Sequence, residues 1–341
     1  MSKTAVIWPY RFGNFRGTAW EPRMQDICRV LQERGYIIRI GTQDKKLMDI
    51  DIPGAEPYDC EAMPPVDIAI YNHATRAEIK GNIVPASRTW FYKPCGPTPE
   101  HVTLDRLGYG AYSEAAYARP RLTGIRKRDV KAWFTGPVQE WIGGNVCKWG
   151  NTFKPTPVWD NDYEMIIGQV PGDYTVRAMW FGDYIAALVS IVQELARVSP
   201  RKIVLKLHPY MDGKEKGKPT PHKDRLMKLI GGLVASNRVA LYDGMCSAHP
   251  FYERAHSVWA CNSGAGIEAL LHHKPVVTWG HAEYHHAGYD LRHLVDSECA
   301  LTLDWHDRAA SDKWIYWYLT RHCVYDATSA ARRVAELLEA T

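Results

Sequence analysis

A run of small residues stands between an apolar strand and an apolar helix in the stretch CNSGAGIEALLHHKPVVTWG, residues 261–280. Small side chains let a ligand approach the backbone, and the free N–H groups in the first turn of a helix carry partial positive charge. Ser263, Gly264 and Gly266 therefore suit a phosphate or another anion. The alternative is a tight turn in which Ser263 caps the helix. Glu268 could favour the helix dipole or could accept hydrogen bonds from ribose hydroxyls.

Polar residues also follow two other apolar runs. His208 and Pro209 end the run RKIVLKLHP, and Gln169 and Asp173 follow the run EMIIG. The carboxyl ends of parallel strands meet at one edge of a sheet, so we expect His208, Asp173 and the Ser263 turn to face one ligand. Alternatively, His208 is a hydrogen-bonded surface residue, and Asp173 simply forms the Pro-Gly-Asp turn.

Three histidines, His281, His285 and His286, lie within six residues. Such a group can bind a transition metal, but no HExxH spacing and no pair of carboxylates accompanies it. The alternative is hydrogen bonding around a sugar, or simple surface placement. The sequence therefore predicts no required metal.

Strand and helix patterns alternate along most of the chain. Strands are predicted at residues 4–10, 36–42, 66–73, 88–96, 164–170, 201–209, 239–244, 257–264 and 274–280. Helices are predicted at residues 24–35, 181–198, 225–236, 266–273 and 329–341. The stretch 143–162 is rich in Gly, Pro, Asn and Asp, lacks periodicity and is interpreted as a linker. The sequence thus predicts an α/β protein of two domains, each with a mostly parallel sheet.

The composition bounds the class of protein. A chain of 341 residues that is 46% hydrophobic and 23% charged is long enough for two globular domains. The net charge of +4 and the pI near 8.5 suit an acidic ligand such as a nucleotide, but fall short of a dedicated nucleic-acid binder. No apolar run reaches the roughly 18 residues of a membrane span and no signal-peptide pattern is present, so we expect a soluble, cytoplasmic protein. The eight cysteines include no CxxC pair, which favours reduced thiols.

A basic segment, RPRLTGIRKRDVKAWF at residues 119–134, contains six basic residues and one acidic residue, with aromatic residues beside them. A nucleic-acid groove or a polyanionic glycan site needs charge for the anions and flat faces for stacking. Arg126, Lys127, Arg128 and Trp133 are therefore candidate contacts for such a ligand. The alternative is a solvated helix face.

The segments GQVPGD, LKLHPY and NSGAGIEALLHHKPVVTWGHAEYHHAG, in that order, resemble the capsule polysaccharide biosynthesis family, which includes retaining β-Kdo transferases. Residues 91–113, FYKPCGPTPEHVTLDRLGYGAYS, are similar to a Gly-containing loop and a Leu-Asp-x-x-Gly segment of that family. The resemblance covers roughly residues 88–290. It implies a GT-B architecture, in which two Rossmann-like domains flank a central cleft and a C-terminal helix crosses back to the first domain. The implied domains are 1–155 for the acceptor, 156–325 for the nucleotide sugar, and 326–341 for the helix.

Carried over residue by residue, the resemblance gives each polar strand end a role. His208 would bind the donor phosphate and take part in catalysis, and Asp173 would be the nucleophile that attacks the anomeric carbon. Glu268 would hold the ribose. The other donor-binding residues would be Gln169, Pro209, Asn262, Ser263, Gly264, Gly266, His281 and Tyr284.

The match breaks down at the acid/base residue expected in the first domain. The family often has an acidic residue shortly before the Gly of its amino-terminal loop, where this chain has the sequence KPCG at residues 93–96. Glu100 and Asp105 are the nearest carboxylates, and Glu100 is the catalytic candidate. Residues 281–288 also depart from the family, because they are rich in histidine where members tend to have an aromatic residue and a small-residue turn.

These observations together predict a glycosyltransferase that moves a sugar from a CMP- or UDP-linked donor to a hydroxyl, with retention through Asp173 and no other cofactor. The acceptor stays open between an anionic saccharide and a hydroxymethylated base in DNA, the substrate of phage-type DNA-base glycosyltransferases. A non-catalytic nucleotide-sugar-binding protein and a nucleotide-sugar epimerase are the alternatives. The basic segment would contact the acceptor. We expect a monomer in the bacterial cytoplasm, or in the host cytoplasm if the protein is phage-encoded.

Overall fold

The computed structural model describes residues 3–9, 18–43, 46–47, 50–58, 64–76, 79, 84–148, 162–179, 182–212, 214–215, 218–219, 221–244, 246–291 and 296–340. The chain divides into two compact units, residues 1–119 with 316–341 and residues 120–315. This division differs from the predicted domain limits, because the second unit begins before the predicted linker and the chain re-enters the first unit at residue 316. The centre of the predicted linker, residues 149–161, lies outside the described residues.

A seven-stranded sheet forms the centre of the first unit. The sheet contains β1 Lys3–Pro9, β2 Tyr36–Ile40, β5 Glu56–Pro57, β6 Val66–Asn72, β7 Ala86–Pro94, β8 Val102–Asp105 and β17 Cys323–Val324. A separate hairpin consists of β3 Thr42–Gln43 and β4 Lys46–Leu47. The order in the sheet is β5-β2-β1-β6-β7-β8-β17. The strands from β5 to β7 are parallel, whereas β8 is antiparallel to both of its neighbours.

Helices pack on this sheet through amphipathic faces. The helices of the first unit are α1 Glu21–Glu33, α2 Glu114–Tyr117 and α12 Ala327–Glu339, with a 3₁₀ turn at Gly110–Tyr112 and a π-helical turn at Tyr318–His322. A capping box begins α12, because the Asp326 carboxylate accepts from the Ser329 N–H at 2.7 Å while the Ser329 hydroxyl accepts from the Asp326 N–H at 2.9 Å. Its buried residues Val334 and Leu337 join the core that α1 forms with the sheet.

The second unit has a six-stranded parallel sheet. The sheet contains β9 Tyr163–Ile167, β10 Lys202–Lys206, β13 Val239–Tyr242, β14 Ala255–Ala260, β15 Val276–Thr278 and β16 Tyr289–Asp290. A separate hairpin consists of β11 Lys214–Glu215 and β12 Lys218–Pro219. The order is β13-β10-β9-β14-β15-β16. The two parallel-sheet bodies confirm the predicted α/β class. Because β9 lies between β10 and β14, the carboxyl ends of these three strands stand side by side.

Helices also connect the strands of the second unit. They are α3 Lys127–Trp133, α4 Gln139–Gly143, α5 Tyr174–Met179, α6 Tyr184–Val198, α7 His222–Ala235, α8 His249–Arg254, α9 Ala265–Leu271, α10 Ser297–Thr302 and α11 Arg308–Trp317, with a π-helical turn at Phe134–Val138 and a 3₁₀ turn at His285–Ala287. Asp183 caps α6 by accepting from the Ile185 N–H at 3.0 Å, which explains why the helix begins after the predicted residue 181. In the described part of the chain, no helix has the length and apolarity needed to cross a membrane.

Candidate functional site

A pair of amides joins the ends of β9 and β14. The Gln169 side chain donates to Asn262 Oδ1 at 2.9 Å and accepts from the Asn262 backbone N–H at 3.0 Å. Asn262 Nδ2 donates in turn to the carbonyl of Thr175 at 3.1 Å, and the Gln169 N–H donates to the Tyr184 hydroxyl at 2.7 Å. Gln169 and Asn262, both predicted to bind the donor, therefore hold the loops of the site together through their own side chains.

A cavity of about 280 Å³ opens beside these strand ends. Its lining includes Lys206, His208, Pro209, Tyr210, Tyr252, Ser263 and Glu268. The structure thus brings together four residues that the sequence singled out: His208, Pro209, Ser263 and Glu268. Sequence reasoning missed Tyr210, whose side chain is 64% exposed and offers a flat aromatic face next to the cavity.

His208 is held in one tautomer. Its Nδ1 accepts a hydrogen bond from the Tyr210 backbone N–H at 3.1 Å, so that Nε2 carries the proton of the neutral ring. Burial lowers the pKa of His208 below its ordinary value, and the positive charges of Lys206 and Lys148 lower it further against the opposing charge of Asp173. At neutral pH the ring is therefore an uncharged donor of one hydrogen bond.

Glu268 is a half-buried carboxyl group in the wall of the same cavity. Burial raises its pKa, while the positive potential of His249 and Lys206 acts in the opposite direction. The Tyr252 hydroxyl donates to the carbonyl of Ala265 at 3.0 Å and lies 3.4 Å from Glu268 Oε2. Glu268 is therefore a hydrogen-bond acceptor on α9, and contacts with the surrounding protein hold its side chain.

The glycine at position 266 has a packing role that the sequence did not reveal. A Cβ atom there would lie 2.3 Å from Cζ of the Tyr284 ring, so a side chain at this position would collide with that ring. Tyr284 is fully buried, and its hydroxyl donates to the carbonyl of Ser263 at 2.6 Å. Gly266 and Tyr284, both predicted to contact the donor, instead support the turn from inside. Gly264 is exposed and is the residue that precedes α9.

Asp173 begins α5. Its Oδ1 accepts from the backbone N–H of Thr175 at 2.9 Å and from the Thr175 hydroxyl at 2.7 Å. The carboxylate is exposed, and its negative charge opposes the lowering of the His208 pKa. This geometry agrees with the turn-forming alternative, and it leaves the proposed nucleophilic role of Asp173 as a prediction.

Comparison with known proteins settles the family. The sequence model described as "Capsule polysaccharide biosynthesis protein" matches residues 154–326, just over half of the chain. The chain belongs to this family. The matched range contains every predicted donor-binding residue, whereas Glu100 and the basic segment lie outside it. No curated protein matches the chain.

Solved structures show the fold of this capsule-family protein. The structure titled as the KpsC β-Kdo 2,4 transferase of Thermosulfurimonas dismutans has a TM-score of 0.55 at 15% identity, with 83% of this chain and 90% of that chain covered. The β-Kdo 2,7 transferase of KpsC from the same organism has a TM-score of 0.51 at 13% identity, with 99% and 100% covered. The predicted family and the two Rossmann-like units of a GT-B glycosyltransferase fold are therefore confirmed.

The three histidine rings of the cluster in this capsule-family protein pack against one another. The ring centroids of His281 and His285 lie 4.6 Å apart, and those of His285 and His286 lie 3.9 Å apart. His285 Nδ1 donates to the carbonyl of Ala282 at 2.6 Å. Burial lowers the pKa of His281, and His285 adds to that effect. Across the described residues, no group of His, Cys, Asp and Glu side chains is arranged to hold a metal ion.

The basic segment belongs to the second unit, and its charged side chains are exposed. Arg126 makes two hydrogen bonds to Asp129, at 2.7 and 3.0 Å, and Lys127 and Arg128 point into solvent beside it. Trp133 is only 9% exposed and packs edge-on against Phe134. The ring of Trp133 therefore offers little surface to a ligand, and its contact with an acceptor stays a prediction.

The two acid/base candidates of the first unit differ in burial. Glu100 is exposed, whereas Asp105 is fully buried. Asp105 accepts from the backbone N–H groups of Leu107 at 2.7 Å and Glu114 at 2.9 Å, and its Oδ2 lies 3.4 Å from Nε2 of His322. Burial acts to raise the pKa of Asp105, but His322 and the backbone donors lower it below its usual value. Asp105 therefore maintains the local fold, and Glu100 is the carboxylate that solvent can reach.

Proposed function

We propose that this protein is a glycosyltransferase that moves a sugar from a nucleotide-sugar donor to a hydroxyl acceptor. The observation that carries the proposal is the cavity at the carboxyl ends of β9, β10 and β14, the edge at which parallel α/β sheets bind ligands. It combines a lysine, a neutral histidine donor and a carboxylate within one lining. Those groups match the phosphate and the sugar hydroxyls of a nucleotide.

Each lining residue has a role in this proposal. Lys206 and the Nε2–H of His208 bind the donor phosphate, and Ser263 adds a hydroxyl to the same contact. Glu268 accepts hydrogen bonds from the ribose hydroxyls. Tyr210 stacks on the nucleobase through its exposed ring, which suits either CMP or UDP because both are pyrimidine nucleotides.

The proposed chemistry proceeds with retention. The Asp173 carboxylate forms a bond to the anomeric carbon while the bond from that carbon to the phosphate oxygen breaks and the nucleotide leaves with the electron pair. The acceptor hydroxyl then displaces Asp173, and its proton passes to a general base. Lys206 and His208 stabilise the negative charge that develops on the leaving phosphate.

The acceptor that the surface favours is an anionic saccharide. Arg126, Lys127 and Arg128 supply exposed positive charge for acidic groups. A base flipped out of DNA is usually held between aromatic or apolar side chains, and the two aromatic residues within the basic segment, Trp133 and Phe134, are both buried.

Replacement of Asp173 by Asn tests the catalytic proposal without disturbing α5. Asn caps a helix as well as Asp does, so we expect the fold and the affinity for CMP and UDP to be unchanged. Release of nucleotide from CMP-Kdo and UDP-glucose, with and without acidic oligosaccharides, should fall by at least about 100-fold because the nucleophile is lost. Asp173→Ser, which also caps, serves as a second variant without a carboxylate.

Three outcomes are distinguishable. Equal nucleotide release by the wild type and by Asp173→Asn would refute the nucleophilic role. Nucleotide binding without release by the wild type, for every donor tried, would favour the non-catalytic binding protein. Isomerised nucleotide sugar without transfer would identify an epimerase.

A further inference from the structure

A second cavity, of about 570 Å³, lies in the first unit and is lined by several polar side chains. Its walls include Arg76, Ser87, Arg88, Thr89, Arg106 and Leu337. The volume falls within the roughly 300–1,000 Å³ of small-molecule sites. Three guanidinium groups and two hydroxyls in one cavity suit a ligand that carries both negative charge and hydroxyl groups.

This cavity is built on the amino-terminal half of β7. Residues 86–90 of its wall begin that strand, which runs parallel to β6. Arg106 follows β8, and β8 returns antiparallel to β7. The backbone N–H of Arg76 donates to the carbonyl of Leu107 at 3.1 Å, which places Arg76 beside Arg106. The cavity therefore lies along the amino-terminal half of β7, away from the carboxyl end of that strand.

Among the residues that the structure describes, two positive charges in the cavity have no carboxylate partner. Arg106 pairs with Glu114. Arg88 Nη2 donates to the carbonyl of Leu338 at 3.4 Å, near the end of α12, which is a hydrogen bond to a neutral group. Within the described part of the chain, neither Arg76 nor Arg88 forms an ion pair with a carboxylate. A bound anion would supply the missing negative charge.

We propose that this cavity binds an acidic saccharide, whose carboxylate pairs with Arg76 and Arg88 and whose hydroxyls bond to Ser87 and Thr89. A guanidinium group matches a carboxylate through two parallel hydrogen bonds. The choice of a saccharide rests on the proposed transfer reaction, whereas the anion site rests on the arginines.

Calorimetric titration of the full chain with trigalacturonate, a carboxylated oligosaccharide, tests the proposal. We expect the wild type to bind it, and we expect Arg76→Gln and Arg88→Gln each to weaken binding at least about tenfold through loss of a charge-assisted contact. Arg29→Gln removes an exposed arginine of α1 in the same unit and is the matched control that should bind as the wild type does. Maltotriose is the neutral probe and inorganic phosphate is the ion probe.

Arg88→Gln also removes the contact with α12, so Arg76→Gln decides the matter if the Arg88 variant does not fold. Absence of trigalacturonate binding, or unchanged binding by Arg76→Gln, would overturn the proposal. Maltotriose binding as tight as that of trigalacturonate would overturn the anion site, and equally tight phosphate binding would overturn the saccharide. Titration of CMP and UDP in the same samples reports on the donor site separately, so the two proposals can fail independently.

Discussion

Replacement of Glu268 by Gln is expected to stabilise the fold while weakening nucleotide binding. Burial raises the pKa of Glu268, and the neighbouring positive groups only partly oppose it, so the folded-state pKa lies above the unfolded value of about 4.3. Ionisation of this carboxyl group therefore reduces stability, and the loss appears as the pH rises through the folded-state pKa. Gln does not ionise. We expect the variant to be more stable than the wild type at pH 7 and equally stable near pH 4.

The effect of the same substitution on binding follows from the proposed ribose contact. A hydrogen bond to a charged acceptor contributes about 1.5–3 kcal/mol, and the amide of Gln keeps one acceptor oxygen but loses the charge. A loss of that size raises the dissociation constant for CMP or UDP roughly 10- to 100-fold. The phosphate contacts of Lys206 and His208 remain, so binding should be weakened rather than abolished.

Calorimetric titration with CMP and UDP measures the affinity, and urea unfolding at pH 4 and pH 7 measures the stability. Glu298→Gln is the matched control, because its side chain is 70% exposed in the same unit and should change neither quantity. Unchanged nucleotide affinity of Glu268→Gln would refute the ribose contact. Lower stability than the wild type at pH 7 would refute the argument from burial.

Two further predictions concern the turn and the basic segment. Gly266→Ala should destabilise the fold by about 1–3 kcal/mol in urea unfolding, because the new Cβ collides with Tyr284. The control is Gly231→Ala on α7, where a Cβ meets nothing within 4 Å, and it should be neutral or stabilising. Equal stability of the two variants would contradict the packing role of Gly266. A DNA duplex should bind the wild type only weakly, with a dissociation constant of about 10 μM or above near physiological salt. Tight binding by the wild type that is lost when Arg126, Lys127 and Arg128 are all replaced by Gln would instead favour a DNA acceptor.

The alternation of apolar strands and amphipathic helices predicted most of what positions the site. Because parallel strands end at one edge, the sequence predicted that His208, Asp173 and Ser263 face one ligand. His208 and Ser263 line one cavity, whereas Asp173 is not part of its lining. The start of α6 was missed by three residues because Asp183 stops the helix through its side chain. Local sequence patterns thus predicted the long strands and helices around the site, but missed α8 and α11 and gave the ends of elements less well.

The roles of individual residues depended on partners distant in the sequence. Nothing near Gly266 indicates that Tyr284, 18 residues later, fills the space a Cβ would need. Similarly, Asp105 reads as a candidate acid, yet its pKa is lowered by His322, which lies more than 200 residues away in the chain. A motif shows that a glycine or a carboxylate is needed at a position. Only the folded structure shows whether a bound ligand or a neighbouring side chain is the reason.

The polar groups at the strand ends of the second unit fall into two sets. Gln169, Asn262 and Tyr284 form hydrogen bonds within the protein, so they fix the loops. Lys206 and Glu268 both line the cavity and, among the described residues, make no ion pair with each other. A ligand that presents an anionic group to the lysine and hydrogen-bond donors to the carboxylate therefore suits the cavity. A nucleotide does both, because its phosphate and its ribose hydroxyls are held a fixed distance apart.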